Sequence, residues 1–368
     1  MSITPQAPDA AGRAETVLPS ISAGDLTWRP LQRGDERALQ HLANQVLEGY
    51  GVPSRWSEEE TVEFIESPWR NVAQNSLFGF DSDGVPRAYG YVFLPPGDTT
   101  QVRVLIGGGV HPDRTGEGVG RELLAWLMAR GRQAVAETGR DVPAVLRSVV
   151  DDDAPPAVHH LLERAGFEAR RFYSELARDL TRLDEQPLPE PALSGSLRLA
   201  PWSDELDEPA RLAHNDAFRD HWGSQPMTAQ MWAETSGFAP EWSYVVVDDE
   251  PDIDFLLGSP DTDAETAAAL RAGQPLVVGY QAAEHYEDSF AARGYTFGYT
   301  GILGVRRAYR GRGIAVAALA AGMRAFADAG LQYALLDVDT ENPTGAYGLY
   351  SSLGYTKVGG HRAYLIEL

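Results

Sequence analysis

Val305–Ala315 reads VRRAYRGRGIA, and its surroundings decide the fold. The strand-type run YTGILGV (299–305) leads into it, and the helical pattern AVAALAAGMRAFADAG (315–330) leads out. A helix N-terminus leaves its first N–H groups unpaired and partly positive. Small residues let an anion approach that backbone closely. The stretch therefore reads as a cradle for phosphate or pyrophosphate, with Arg310 and Arg312 able to add charge-assisted hydrogen bonds. A P-loop is excluded, because G-x-x-x-x-G-K-[ST] is absent. The dinucleotide fingerprint fails as well, since Val316 stands three residues after Gly313 and Arg121 three after Gly118. Taken alone, the turn is equally compatible with a plain tight strand–helix connection.

A looser copy lies at Val110–Gly120, VHPDRTGEGVG. Between the copies, residues 183–196 (LDEQPLPEPALSGS) carry three prolines and no apolar period, as a linker does. The flanking halves read alike. Each has a short opening strand, a helical region, strands, the Gly-rich turn, a long helix, a strand, a short helix ending in Gly-aromatic, and a last strand. Val119, Leu123 and Leu127 recur at core spacing in the first long helix; Leu319, Met323 and Phe326 do so in the second. The chain thus reads as one α/β domain duplicated. The expected division is a tail at 1–23, a first domain at 24–182, the linker at 183–196 and a second domain at 197–368. An acidic excursion at 248–274 is particular to the second half. It reads as a solvated loop with a short helix at DAETAAALRAG, in a position that could border a pocket.

Composition narrows the chemistry. The 368 residues contain no cysteine, which excludes disulfides, thiolate metal sites and a cysteinyl acyl-enzyme. The net charge of −22 disfavours nucleic acid as a partner and would attract a cationic small molecule. No apolar run reaches the roughly 20 residues that span a bilayer. The N-terminal stretch has no basic region followed by an apolar one, so the expected compartment is the cytoplasm. The eight histidines show no metal-ligand spacing, and no metal is expected.

Arg310, Gly313 and Ala315 resemble the Q/R-x-x-G-x-G/A acetyl-CoA signature of the GCN5-related N-acetyltransferases (GNAT family). ENPTGAYGLYSSLGY (341–355) resembles that family's second hallmark, with Asn342, Ala346, Leu349, Tyr350, Gly354 and Tyr355 in order. The resemblance covers 197–368 well and about 26–180 more loosely. As a tandem pair, the chain resembles two-domain acetyltransferases of the mycothiol synthase type. That likeness implies an α/β fold in which each domain is a mostly antiparallel twisted sheet flanked by helices. The strands at 297–305 and 333–339 would splay, and acetyl-CoA would lie between them as co-substrate. Backbone near Leu303 and Val305 would pair with the pantetheine and polarise the thioester. The amides of Arg310, Gly311, Arg312, Gly313, Ile314 and Ala315 would hold the pyrophosphate, and Asn342 would reach the pantetheine. Tyr350 would protonate the leaving thiolate. The implied activity is direct acetyl transfer to a primary amine, on a small molecule or a peptide, by a monomer or homodimer. An acyl-CoA-binding protein without catalysis is the rival from another class.

The base is left open by the residues. Glu284 and His285 end one strand, Asp337 and Asp339 share a face of another, and His221 sits in FRDHWG. The first half departs from the pattern, with Thr115 where Arg310 stands, Leu162 where Tyr350 stands and Ala154 where Asn342 stands. Val110, Gly116, Gly118, Val119 and Gly120 remain there as a weaker set that could hold CoA through the backbone. A structural role for that half is expected.

Overall fold

The computed structural model describes residues 17–98, 100–219, 225–233, 238–341 and 346–368. Asn342 and His221 lie outside the described residues. The first half runs β1 (Thr27–Arg29), α1 (Glu36–Tyr50), α2 (Glu58–Glu66), α3 (Val72–Asn75), β2 (Ser76–Phe80), β3 (Pro86–Phe93), β4 (Val102–Val110), α4 (Val119–Glu137), β5 (Ala144–Asp151), α5 (Pro156–Arg164) and β6 (Glu168–Asp179). The second runs β7 (Leu197–Pro201), α6 (Asp204–Ala217), α7 (Ala229–Ala233), β8 (Tyr244–Asp248), α8 (Ile253–Gly258), α9 (Ala264–Arg271), β9 (Leu276–Glu284), α10 (Phe290–Arg293), β10 (Phe297–Val305), α11 (Ile314–Asp328), β11 (Tyr333–Asp339), α12 (Ala346–Ser352) and β12 (Thr356–Glu367). The mixed α/β fold and the duplication expected from the sequence are both present.

The two long helices bury the faces their spacing predicts. Val119, Leu123 and Leu127 of α4 are buried, as are Leu319, Met323 and Phe326 of α11. Gly298 of β10 has no side chain where the Phe326 ring rests, so α11 packs tightly on its own sheet. In each half the central parallel pair separates part-way. β4 and β5 pair from Val102↔Ala144 to Leu105↔Arg147, and β10 and β11 from Phe297↔Tyr333 to Thr300↔Leu336. Both pairs continue beyond those points without a shared ladder, which leaves a wedge in each half.

The halves do not keep separate sheets. Among the described residues, the strands form one twelve-stranded sheet in the order β1-β2-β3-β4-β5-β12-β6-β11-β10-β9-β8-β7. The last strands have changed places: β12 pairs with β5 of the first half, β6 pairs with β11 of the second, and β6 and β12 pair with each other. Period-2 patterning sets which face of a strand is buried but not which neighbour it joins, so this exchange is invisible locally. The segment between the halves is docked. Leu183, Leu188 and Leu193 pack against second-half core, and Arg324 donates to Pro189 O (2.6 Å). Leu18 and Ile21, inside the stretch read as a tail, pack on the first-half core, and the Ser22 and Ala23 N–H groups donate to Glu122. Those contacts are long-range, and a local reading of polarity has no access to them.

Cleavage of the chain near Glu190, whose side chain is 90% exposed, should therefore leave the two fragments bound to each other. Each buried ladder bond adds about 0.5–1.5 kcal/mol net and leaves a costly orphan when broken. We expect the nicked protein to elute at the size of the intact chain in gel filtration. Elution as two folded fragments would show that the exchange is not needed for their integrity.

Candidate active site

A cleft of about 420 Å³ opens where β10 leaves β11. Its walls are Leu303–Val305 of β10, the turn at Arg310, Gly311 and Gly313, the first residues of α11 (Ile314, Ala315), and Leu349 and Tyr350 of α12. The structure thus brings together the second-half positions expected to hold acetyl-CoA, with Tyr350, except Arg312 and, outside the described residues, Asn342. The Arg312 guanidinium lies 4.8 Å from the centre of the Tyr309 ring and does not line the cleft. Ala217 and Phe218, from the end of α6, also form the wall. They lie nearly a hundred residues earlier in the chain, and no local pattern marks them.

The turn is built as the small residues require. Gly311 and Gly313 have φ of +78° and +75°, a region that side-chain-bearing residues rarely enter. Gly313 is the N-cap of α11 and no side chain caps that helix, so its first N–H groups remain available to an anion. Tyr309 anchors the turn from behind by donating to Asp248 (2.8 Å). Arg310 donates to Ala217 O (2.8 Å), which ties the turn to α6. The donor set fits the diphosphate of acetyl-CoA.

Tyr350 is 8% exposed, and its hydroxyl makes no hydrogen bond to the chain among the described residues. Among the described residues no backbone group holds it as a structural tyrosine would be held. Burial pushes its pKa up to about 12, so it stays protonated at neutral pH and can donate.

Of the acids and histidines weighed as bases, two converge. Glu284 ends β9 on the face that packs α6, and its carboxylate lies over Gly301, where any side chain would collide with it. Gly301 sits at the bulge between Thr300 and Ile302, just before Leu303 of the cleft. Tyr286 Oη donates to Glu284 (2.7 Å). Asp337 stands one residue past the last β10–β11 pair; Tyr299 Oη donates to its Oδ2 (2.8 Å), and its Oδ1 is buried without a partner. Burial raises the pKa of both carboxyls. His285 points instead to Glu241 (2.8 Å), and Asp339 accepts from the Glu341 N–H (2.9 Å). The first half closes this face: Arg55 N–H donates to Ser289 Oγ (2.9 Å), and Glu60 contributes to the raised pKa of Glu284.

In the first half the wedge persists as a cavity of about 550 Å³. It is lined by Val110, Gly120, Leu162 and an aromatic set that includes Trp56, Phe64 and Tyr91. Gly116 and Gly118 keep positive φ, and Val119 is buried. The positive charge at the turn, however, is cancelled. Glu117 replaces Arg312 in register and pairs with Arg114 (3.0 Å), and the Thr115 hydroxyl is tied to Pro112 O (2.9 Å). The carboxylate of Glu122 lies on the first turn of α4. With Arg114 and Arg121 offset by Glu117 and Glu122, the turn offers a diphosphate no net positive charge from its side chains.

A wedge between parallel strands, a bare-amide turn in its mouth and a buried tyrosine beside it together form the cleft of the second half. Residues 216–355 match the model of the Acetyltransferase (GNAT) family. That match lies within the second half, and the first half repeats the order of its elements. Over 334 residues it is 28% identical to a mycothiol acetyltransferase of Thermobispora bispora, covering 88% of this chain and 93% of the relative. A mycothiol acetyltransferase of a Parafrankia species is 27% identical over 270 residues, 67% of this chain and 71% of the relative. Among solved structures, a GCN5-related N-acetyltransferase from Sphaerobacter thermophilus superposes with a TM-score of 0.65 at 22% identity, covering 95% of this chain and 97% of the other. A tandem GNAT protein from the clavulanic acid biosynthesis pathway gives 0.61 at 17%, covering 93% and 98%.

Proposed function

We propose that the second half transfers acetyl directly from acetyl-CoA to a primary amine of a small molecule. The observation that carries this is the single cleft that unites the Arg310–Ala315 turn, the β10 backbone and Tyr350. Acetyl-CoA would supply the acetyl group as a thioester. The turn amides bind its diphosphate, and N–H groups of β10 near Leu303 orient the carbonyl and stabilise the charge that develops on its oxygen. The amine nitrogen forms the new bond to the carbonyl carbon as the C–S bond breaks. Tyr350 Oη gives its proton to the departing sulfur, and Glu284 takes the proton lost by the amine. The acceptor enters on the α6 face, between the first half and the turn at Tyr286–Ser289. Glu284, Asp337 and the tyrosines there suit an ammonium that loses its proton on arrival.

A particular acceptor is suggested by the Thermobispora bispora relative, which matches over 93% of its length and is named a mycothiol acetyltransferase. On that reading the substrate is the amine precursor of mycothiol. Release of free thiol from acetyl-CoA, followed across a panel of amines that includes that precursor, tests both levels. Thiol release with some other amine alone would retain the transferase and remove the specific acceptor. No release with any amine would remove both.

Glu284→Gln should lower kcat by about 10²-fold, within the usual range for a lost general base, while leaving acetyl-CoA affinity unchanged. The sign of the pH effect follows from burial. The Glu284 carboxyl is raised, so the wild-type rate falls as pH drops through a value above the ordinary carboxylate range, where the base becomes protonated. That acidic limb should vanish in the glutamine variant. A limb of unchanged position would assign the base to another group, with Asp337 the next to test.

A further inference from the structure

Behind the Gly-rich turn of the second half lies a separate cavity of about 350 Å³. Its outer wall is the α8–α9 excursion between β8 and β9, where the first half joins β2 to β3 by the short turn at 81–85. Its inner wall is Arg306–Tyr309. The excursion is therefore more than a solvated loop; it roofs a buried arginine.

Arg306 is 6% exposed. Its backbone N–H donates to Val278 O (2.8 Å) and its Nε to Val277 O (2.7 Å), so β9 fixes the backbone by one bond and the guanidinium by the other. Among the described residues its two Nη groups make no hydrogen bond and no ion pair to the chain. Burial disfavours its charge, and Asp216 and Asp263 lie near enough to offset that in part. Both acids are already engaged. Asp216 accepts from the Arg307 N–H (2.9 Å) and from Arg219 (3.0 Å); Asp263 caps α9 by accepting from the Thr266 N–H and hydroxyl (2.8 Å each). Asp261 faces Arg219 (3.4 Å) and Arg307 (3.8 Å). Arg306 is thus a buried cation with its planar fork unspent, and such a fork matches the paired oxygens of a phosphate or carboxylate. In the first half the same position is His111, whose Nδ1 accepts from the Asp113 N–H (3.2 Å), so no guanidinium fork stands there.

We propose that this cavity binds the phosphate or carboxylate group of a small molecule on the free Nη edge of Arg306. The site is distinct from the acetyl-CoA cradle, although Tyr309 borders both cavities and the Arg306–Tyr309 segment leads into the cradle.

The test is titration with inorganic phosphate, and separately with acetate and succinate, at constant ionic strength. Thermal melting and amide hydrogen exchange are the readouts, so activity is not involved. Wild type should show a saturable rise in Tm with at least one anion, together with slower exchange at residues 306–309. Phosphate against carboxylate separates the two sources of the same chemistry. Arg306→His and Arg306→Met should weaken the response at least tenfold, and Arg306→Lys less. Gly313→Glu, which blocks the cradle, should leave the response in place. No saturable response in wild type would overturn the proposal, as would an equal response in folded Arg306 variants or a response lost in Gly313→Glu and kept in Arg306→Met. If the Arg306 variants do not fold, the wild-type exchange data and Gly313→Glu still decide.

Discussion

Tyr350→Phe is expected to lower kcat by about 10²-fold or more, in line with the loss of a general acid, and to leave the affinity for acetyl-CoA nearly intact. The substitution keeps the ring, so the contact with Tyr355 (centroids 5.9 Å apart) survives and the fold is undisturbed. It removes only the hydroxyl, which forms no hydrogen bond to the chain among the described residues. A kcat defect with constant affinity is the signature of an interaction made in the transition state alone. The check is steady-state turnover with a working acceptor beside calorimetric binding of acetyl-CoA. Unchanged turnover would make Tyr350 a core residue and place the acid elsewhere. With its pKa pushed up to about 12, the phenol stays protonated through neutral pH, so no alkaline limb from Tyr350 is expected below pH 10.

Gly313→Glu should weaken acetyl-CoA binding by about 10²-fold or more, whereas Gly118→Glu should weaken it less than about threefold. At Gly313 two effects combine. The φ of +75° strains any other residue by roughly 1–3 kcal/mol, and the new carboxylate sits at the α11 N-terminus where phosphate is to bind. Gly118 has a φ of +89° and would be strained alike, but its turn already carries Glu117 and lacks both arginines of the other copy. Calorimetry on the two variants distinguishes them. A greater loss from Gly118→Glu would move the main acetyl-CoA site to the first half.

Most of the second half's cleft lining was legible in the sequence for a physical reason: its elements are contiguous. Strand, turn and helix N-terminus lie within Phe297–Ala315, and the bounds of β10 and β11 match the run of residues read as strands. Backbone amides need only the right neighbours, and glycine spacing announces them. What could not be read depends on distant chain. Ala217 and Phe218 reach the cleft from α6. Glu284 is singled out from His285 only when the bulge at Gly301 makes room for its carboxylate. The solvated reading of the 248–274 excursion missed its contact with Arg306, because nothing in its own composition refers to a residue beyond β10. The exchange of β6 and β12 is the extreme case, since either strand has the same alternation whichever sheet it joins.

That exchange also orders events during synthesis. Once β5 has been made, its free edge has no partner until β12, which follows about 200 residues later. At roughly 5–20 residues per second this is a wait on the order of 10–40 s. The first half thus emerges from the ribosome as a sheet of five strands with an open side, and β6 emerges with its eventual neighbour β11 still unmade. An exposed strand edge is a template for pairing with other chains. Nascent chains halted after the first half should therefore be held by chaperones or aggregate, and become soluble only when β12 is available to fill the gap.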